Sequence, residues 1–308
     1  MTLRATLLIS ALLAVSLWLS NCISYHHSNI WKRTASDRQI RRSFAKEKEK
    51  PTIFYFRSGD RLLRCWQIGA DSLPVTLLVH GAPSSMVKFS TWFSDPTVYQ
   101  KTRLVAVDRP GYGKSDYGRA EISIERQAEI LGPLVEDLSK NGPIALYGSS
   151  YGGAVVAKLA MDHPDKVRVL LLQSASVAPN AEWTPQIAYW IKSPLRFAFP
   201  RWARVATKEK FNHQKALAQI QDGWCNIDCP VWIMHGQADK LIYPRNAEYA
   251  YEQLSPYTDV TFIKLDNLGH RLFHERPDTL RYYLLEAINC SGPACLTPLL
   301  SEKILPQK

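Results

Sequence analysis

A serine lies at the centre of a short glycine-rich sequence that could place it for nucleophilic attack. Residues 148–152 read G-S-S-Y-G, and Ser150 occupies the middle of this G-x-S-x-G pattern. The apolar run at 144–147 predicts a buried strand, and the Ala- and Val-rich stretch at 153–161 predicts a buried helix. Because glycine permits a sharp turn between such elements, we expect Ser150 to be presented at the end of a sheet. An ordinary glycine-rich turn is the alternative for the pattern taken alone.

Three further apolar runs, each followed by a loop that contains glycine, indicate how this serine is positioned. Residues 75–79 precede H-G-A-P, residues 104–107 precede D-R-P-G-Y-G-K-S, and residues 231–234 precede H-G-Q-A-D. Short apolar strands that alternate with helical stretches are typical of a parallel sheet with helices on both faces. Since the carboxyl ends of parallel strands lie along one edge, we expect these loops to meet there.

With these motifs the chain resembles the α/β-hydrolase fold proteins, in particular the group whose loops read H-G-x-P and D-R-P-G-x-G-x-S. The resemblance covers about residues 52–286 and includes four motifs in the family's order. It implies an α/β fold with a mostly parallel sheet, helices on both faces and a short helical cap. It also implies a serine hydrolase that needs no cofactor.

The resemblance further implies which residues would act with Ser150. The family's order along the chain is Ser, then Asp or Glu, then His. This sequence offers Asp239 just beyond the run at 231–234, and His270 after an apolar run at 260–265. A serine hydroxyl needs a neighbouring base, which is usually a histidine held in one tautomer by a carboxylate.

Other residues compete for these roles. Ser149 adjoins Ser150 but lies outside the central position of the pattern. Asp266 is a second carboxylate close to His270, and His274 would point from the first turn of a following helix. Five other histidines lie in the N-terminal region, in the predicted cap or in H-G turns that the family uses structurally: His26, His27, His213, His80 and His235.

A serine at position 150, rather than the aspartate of some relatives, favours acyl transfer to water. Backbone N–H groups would stabilise the oxyanion of the intermediate, one from Tyr151 and one, by resemblance to H-G-x-P, from Ala82. We therefore expect hydrolysis of a small or medium, partly apolar carboxylic ester through an acyl-enzyme. Cleavage of an amide, peptide or carbon–carbon bond by the same residues is an alternative, as is a non-catalytic binding protein on the same scaffold.

The N-terminal residues predict export and a lipid anchor. Arg4 precedes an apolar or small stretch of 15 residues at 5–19, which is typical of a secretory signal and short of a membrane-spanning helix. The following L-S-N-C resembles the lipobox of bacterial lipoproteins, which implies a signal peptide over 1–21 and lipidation of Cys22. We expect a protein anchored to a bacterial membrane in the cell envelope, on its periplasmic or outer-membrane face. Secretion or an uncleaved signal anchor is the alternative.

Half of the formal net charge of +10 falls between residues 32 and 50, where eight Lys and Arg accompany three acidic residues. We interpret residues 22–51 as a basic stalk that anionic lipid headgroups would attract, with a solvated spacer as the alternative. No segment resembles a nucleic-acid-binding module, so the basic composition does not indicate nucleic-acid binding.

The cysteine pattern fits an oxidising compartment. The short spacings of Cys225 with Cys229 and of Cys290 with Cys295 predict two local disulfides, with a buried thiol as the alternative for Cys229. Neither pair is accompanied by histidines at zinc-finger spacing, so no metal site is expected. Cys65 lies in a probable strand and is predicted to be a core residue.

Residues 178–224 fit neither a strand nor a core helix and are predicted to form the cap. This segment interleaves basic residues with eight aromatic ones, most of which we expect to pack towards the sheet, while the cap as a whole favours an apolar substrate. The predicted hydrolase domain thus spans 52–290, and residues 291–308 form a C-terminal tail.

Overall fold

The fold is built on one eight-stranded sheet. The structure, a computed structural model, describes residues 35–289. The strands are β1 (Thr52–Ser58), β2 (Arg61–Ile68), β3 (Val75–Val79), β4 (Arg103–Val107), β5 (Ile144–Ser149), β6 (Val167–Gln173), β7 (Val231–Gly236) and β8 (Val260–Leu265). Their order across the sheet is β1-β2-β4-β3-β5-β6-β7-β8. Only the pairings β1–β2 and β2–β4 are antiparallel, so the strands from β3 to β8 run parallel with β4.

Helices connect these strands and cover both faces of the sheet. They are α1 (Asp37–Ser43), α2 (Ser90–Phe93), α3 (Pro96–Tyr99), α4 (Ile124–Leu138), α5 (Tyr151–Asp162), α6 (Gln186–Lys192), α7 (Arg201–Ile220), α8 (Arg245–Leu254), α9 (Leu272–Glu275) and α10 (Pro277–Asn289). Short 3₁₀ turns occupy Met86–Phe89, Pro164–Lys166, Pro194–Ala198 and Gln221–Asn226.

The central strands are apolar on both sides because each face of the sheet has its own core. Successive residues of a strand point to opposite faces. In β3, Leu77 belongs to the cluster that includes residues of α4, α5 and α7, whereas Leu78 belongs to the cluster that includes α1, α2, α3 and α10. This arrangement confirms the predicted fold class: a mostly parallel sheet with helices on both faces.

The folded unit begins earlier than the predicted boundary at residue 52. Part of the predicted stalk forms helix α1, whose N-cap Ser36 and Gln39 make a capping box. Ile40 and Phe44 are buried, and the Phe44 ring meets Trp66 of β2 edge-to-face at 5.6 Å. Residues 35–44 are therefore packed on the sheet rather than being a solvated spacer, because their apolar side chains share its core.

The cysteines of the described chain are free thiols. Cys225 is exposed and Cys229 is buried, so the predicted disulfide between them is wrong. Cys225 lies in the 3₁₀ turn that ends at Asn226, and its thiol bonds to the Asp222 carbonyl at 3.5 Å. Cys65 is a core residue as predicted. Cys22, Cys290 and Cys295 lie outside the described residues.

The segment between β6 and β7 carries α6 and α7, and its aromatic residues divide between interior and surface. Trp224 is buried in the same core as α4 and α5. Trp183, Tyr189, Trp190 and Phe197 are exposed. These four of the eight aromatic residues do not face the sheet as we expected for most of them; the two in α6, Tyr189 and Trp190, lie outside the side of the helix that buries Ala188 and Ile191.

None of the helices between residues 35 and 289 combines sufficient length with sufficient apolar character to span a membrane.

Candidate active site

Ser150 lies on a strained turn between β5 and α5. Its backbone has φ +55° and ψ −125°, a conformation that side-chain-bearing residues rarely adopt. The flanking glycines make the turn possible. A Cβ on Gly148 would lie 2.3 Å from the Val156 side chain, and one on Gly152 would lie 2.5 Å from the Val79 carbonyl oxygen. Neither position has room for a side chain, which explains both glycines of the G-x-S-x-G pattern.

The backbone of Ser150 is held by the loop after β6. Its N–H donates to the Gln173 carbonyl at 2.9 Å, and its carbonyl accepts from the Ser176 N–H at 3.1 Å. Within residues 35–289, the hydrogen bonds of Ser150 are all made by its backbone. Its hydroxyl is thus presented at the carboxyl edge of the sheet by a turn that is fixed on both sides.

Asp239 and His270, from the loops after β7 and β8, form a direct hydrogen bond. His270 Nδ1 lies 2.8 Å from Asp239 Oδ2, while Asp239 Oδ1 accepts from the N–H groups of Leu241 and Ile242, each at 2.9 Å. The carboxylate is buried and the imidazole is one-fifth exposed. Because Nδ1 is engaged by the carboxylate, Nε2 is the nitrogen left to exchange a proton.

The surroundings of Asp239 keep it ionised. Burial by itself would raise the pKa of this carboxyl, but hydrogen bonds from His235 and His270, the charge of His270 and the Ile242 N–H hold the pKa well below its ordinary value. An ionised carboxylate is what fixes the tautomer of His270 and stabilises its protonated form.

The loop of His270 lies close to the turn that carries Ser150. The ring of Phe273, in the helix directly after His270, lies 5.6 Å from Lys88 Nζ. That same ammonium group bonds to the hydroxyl of Ser149, the residue before Ser150. The topology therefore brings the loops after β5, β7 and β8 to one edge of the sheet.

The competing residues occupy different surroundings. Asp266 and His274 are both exposed. His80 is buried, with Nδ1 2.7 Å from the Gly81 carbonyl and Nε2 accepting from the Arg109 N–H at 3.0 Å. Burial and the Arg109 charge hold the pKa of His80 well below its ordinary value, so it is a neutral structural histidine. His235 bonds to the Ile242 carbonyl at 2.9 Å.

The H-G-A-P loop after β3 lies directly against Ser150. A Cβ on Gly81 would lie 2.7 Å from Ser150 Cβ and 3.3 Å from its Oγ. Ala82 follows this point of closest approach, and Tyr151 is the first residue of α5, where helix N–H groups lack intrahelical partners. The two backbone positions predicted to donate to an oxyanion thus flank the serine.

Arg109 connects the H-G-A-P loop to helix α7 at this edge of the sheet, and the sequence did not reveal this role. Its guanidinium donates to the carbonyls of His80 and Gly81, at 2.8 and 3.3 Å, and pairs with Glu209 of α7 at 2.7 Å. Tyr112 donates to the same carboxylate at 2.5 Å. All five residues are buried, so the predicted cap is joined to the H-G-A-P loop through a buried ion pair. The D-R-P-G motif marked Arg109, but no pattern marked Glu209 as its partner.

Lys88 is a second residue that the sequence did not reveal. Its ammonium group bonds to Ser149 Oγ and lies 3.5 Å from Gln173 Oε1, and within the described chain it forms no ion pair with a carboxylate. Burial lowers the pKa of Lys88 to about 7. Nothing in its local sequence distinguished it from a surface lysine.

The described part of the chain, residues 35–289, brings together no group of three or more His, Cys, Asp or Glu side chains that could hold a metal ion.

Comparison with known proteins agrees with this geometry. A family model described as the alpha/beta hydrolase family matches residues 76–281. The match begins within β3 and ends within α10, so it includes the H-G-A-P loop, Ser150, Asp239 and His270.

Individual relatives differ in their reactions. The chain is 22% identical over 233 residues to a 2-hydroxy-6-oxo-6-(2'-aminophenyl)hexa-2,4-dienoic acid hydrolase of Metapseudomonas resinovorans, covering 66% of this chain and 79% of that protein. It is also 22% identical over 191 residues to a mitochondrial palmitoyl-protein thioesterase of Homo sapiens, covering 59% of this chain and 61% of the thioesterase.

A solved structure, described as a membrane phospholipase A and a bacterial virulence factor, is similar over most of the chain. It shares 21% identity with a TM-score of 0.61 and covers 94% of this chain and 98% of its own. At this level of identity the likeness concerns the fold.

Proposed function

The chain belongs to the alpha/beta hydrolase family, and from this premise we propose that it is a serine esterase. Its substrate is a small or medium, partly apolar carboxylic ester, and the reaction proceeds through an acyl-enzyme. The observation that carries the proposal is the 2.8 Å contact between His270 Nδ1 and Asp239 Oδ2, made at the same edge of the sheet as a serine on a strained turn. No cofactor takes part.

In the proposed reaction Ser150 Oγ attacks the ester carbonyl while His270 Nε2 takes the hydroxyl proton. The tetrahedral oxyanion accepts hydrogen bonds from the N–H groups of Ala82 and Tyr151, each of which lowers the barrier by about 3 kcal/mol. His270 then protonates the departing alcohol. Water, activated by the same imidazole, attacks the acyl-enzyme, and the released acid restores Ser150. Asp239 holds His270 in the required tautomer throughout.

The cap segment is rich in aromatic residues, and this composition favours a substrate with an apolar acyl group rather than a strongly polar substrate. The reactions named for the relatives, hydrolysis of a dienoic acid and of a palmitoyl thioester, define the competing substrate classes. An amide, a thioester or a carbon–carbon bond beside a ketone would use the same groups, and a substrate panel separates them. The fold alone does not choose among these bonds.

The proposal is tested with a fluorophosphonate probe and a panel of p-nitrophenyl esters of increasing acyl length, run beside anilides and thioesters. We expect the folded protein to be labelled and to hydrolyse esters fastest. Ser150→Ala abolishes both signals, whereas Ser255→Ala, at an exposed serine beyond α8, keeps them. Failure of folded wild-type protein to label, or labelling that survives Ser150→Ala, would overturn the proposal.

We also propose that the protein is held at a bacterial membrane through a lipidated Cys22. This proposal is supported by the sequence alone: a 15-residue apolar stretch followed directly by L-S-N-C. Mass spectrometry of the mature N-terminus tests it. A diacylated cysteine as the first residue is expected, and an unmodified Cys22 still joined to Asn21 would contradict the anchor.

A further inference from the structure

The segment after β6 presents apolar side chains to solvent in a way that interior packing does not explain. Trp183, Ile187, Tyr189, Trp190 and Phe197 are all exposed, Phe197 to 73%. Ile187 and Trp190 are three residues apart and share one side of α6, beside the side that buries Ala188 and Ile191. We call this set of five exposed side chains the cap face. Five large exposed apolar side chains within the short stretch 183–197 are the kind of surface that marks an interaction site.

The charge around the cap face has one sign. Residues 183–208 contain five basic residues and no acidic residue: Lys192, Arg196, Arg201, Arg204 and Lys208. Within the described chain none of the five forms an ion pair. The two acidic residues that flank the stretch are neutralised, since Glu182 pairs with Lys210 at 2.5 Å and Glu209 pairs with Arg109. The stretch therefore presents uncompensated positive charge among its aromatic rings.

Basic and aromatic groups are in direct contact here. The Lys192 ammonium lies 4.4 Å from the centre of the Phe211 ring, and the Arg196 guanidinium lies 4.9 Å from that of Phe197. Long basic side chains that lie along apolar surface and end in a charge suit the boundary between hydrocarbon and headgroups. Trp and Tyr favour the same boundary because one part of the ring system is apolar and another part is polar.

The cap face adjoins the edge of the sheet that carries the candidate active site. Glu182 makes an isolated bridge with Ile242, and the Trp183 N–H donates to the Leu241 carbonyl at 2.8 Å. Leu241 and Ile242 are the residues whose N–H groups bind Asp239. Trp183, the first residue of the cap face, is thus hydrogen-bonded directly to the loop that holds the carboxylate.

From these observations we propose that the cap face binds the surface of a lipid bilayer that contains anionic headgroups. The aromatic rings enter the boundary between headgroups and acyl chains, while Lys192 and Arg196 meet lipid phosphates. The contact is separate from any anchor at Cys22 and turns the carboxyl edge of the sheet towards the membrane. The positive charge of the segment complements the anionic headgroups of such a bilayer. The exposed rings of the cap face favour a bilayer over an acidic protein, because they need an apolar phase to enter.

The first test is hydrogen–deuterium exchange of the full chain with vesicles of phosphatidylcholine and phosphatidylglycerol. Because exchange is read peptide by peptide, the cap face is followed whatever else attaches the chain to the vesicle. We expect peptides over 183–198 to be protected by these vesicles and less so by phosphatidylcholine alone. Peptides over 251–258, which also carry exposed tyrosines, serve as the control and stay unchanged. Unchanged exchange over 183–198 in vesicle-bound protein would overturn the proposal.

The second test measures vesicle partitioning of charge-reversal variants of the full chain. Lys192→Glu with Arg196→Glu is compared with Lys101→Glu with Lys140→Glu, which alters the net charge equally at exposed lysines before β4 and β5. Since each basic residue near an anionic surface contributes about 1 kcal/mol, the first pair lowers partitioning by at least about tenfold. The second pair leaves partitioning nearly unchanged. Equal loss in both pairs, or loss in neither, would contradict the proposal.

Two further readouts distinguish other occupants. Circular dichroism melts establish that each variant is folded. If the first pair changes the oligomeric state by light scattering but leaves partitioning intact, the cap face is a contact between copies of the chain and the bilayer proposal is wrong. Esterase assays of the wild-type protein stand apart from both tests, so failure of one proposal does not imply failure of the other.

Discussion

At the scale of single residues, several hydrogen bonds together fix the orientation of the Asp239 carboxylate. One oxygen accepts two backbone N–H groups and the other accepts His270, so the side chain has no freedom to rotate. A group held this firmly acts on the orientation and charge of the imidazole rather than on the substrate. Its replacement by a neutral side chain of the same shape is therefore informative.

Asp239→Asn is expected to lower kcat for a p-nitrophenyl ester by about 10³- to 10⁴-fold, because the amide favours the wrong tautomer of His270 and cannot stabilise its charge. The measurement is steady-state hydrolysis together with the rate of fluorophosphonate labelling. Asp266→Asn removes an exposed carboxylate four residues before His270 and provides the matched control, with activity near that of the wild type. Similar losses in both variants would exclude the special role of Asp239.

The ammonium group of Lys88 makes the stability of the folded protein depend on pH. Its pKa is about 7 in the folded protein against an ordinary value of 10.5. Between these values the unfolded chain binds a proton that the folded protein does not, so stability rises with pH in this window. Below pH 7 both states are protonated and the cost of burying the charge is fully present.

We therefore predict that Lys88→Met flattens the rise of unfolding free energy between pH 7 and 10. Urea unfolding at several pH values measures this slope. Lys101→Met, at an exposed lysine, keeps the slope of the wild type. An unchanged slope in Lys88→Met would mean that the amine titrates as an ordinary lysine.

At the scale of elements, α7 is tied to the H-G-A-P loop by the buried pair of Arg109 and Glu209. The guanidinium binds the carbonyls of His80 and Gly81 on one side and the carboxylate on the other. The cluster is satisfied as a whole, with Gln127 and Tyr112 also bonded to Glu209. Removing one charge would leave its partner buried and unpaired.

Glu209→Gln is accordingly predicted to destabilise the protein by about 3–5 kcal/mol. Glu252→Gln, which breaks the exposed pair with Arg245, is predicted to cost about 1 kcal/mol or less. Urea denaturation of both variants gives the comparison. Equal effects would show that burial does not distinguish the two pairs.

At the scale of the whole molecule, the folded unit includes the helix that precedes the sheet. Arg64 of β2 binds the Ala35 carbonyl at 2.7 Å and Asp37 at 3.1 Å, and it also pairs with Asp108 of the D-R-P-G loop. Helix α1 is thus joined to the same loop system that carries Arg109. Residues 35–44, the described start of the chain, are therefore a structural part of the domain.

Phe44→Ala tests this extent of the domain. Phe44 is buried against Trp66, so its truncation is expected to cost about 3–5 kcal/mol in a single unfolding transition. Lys46→Ala, two residues later and exposed, is expected to change stability by less than about 0.5 kcal/mol. A negligible effect of Phe44→Ala would mean that residues 35–44 are a spacer and do not stabilise the domain.

The sequence alone was sufficient to predict strands β3, β4, β5, β7 and β8, the turn around Ser150 and the order of the loops. These features depend on local patterns: apolar runs of strand length, glycines where no side chain fits, and loops at strand ends. The parallel arrangement of β3 to β8 follows from such runs alternating with helices, and it predicts one common edge for Ser150, Asp239 and His270.

The partnerships among residues distant in the chain became known from the tertiary fold. Glu209 lies 100 residues from Arg109, and Lys88 lies 61 residues from Ser149, so no local spacing encodes either contact. The exposure of Trp190 and Phe197 and the free thiols of Cys225 and Cys229 were likewise settled by packing. Composition specifies that an aromatic side chain or a thiol is present, but the neighbours that the fold supplies determine whether it is buried, bonded or left at the surface.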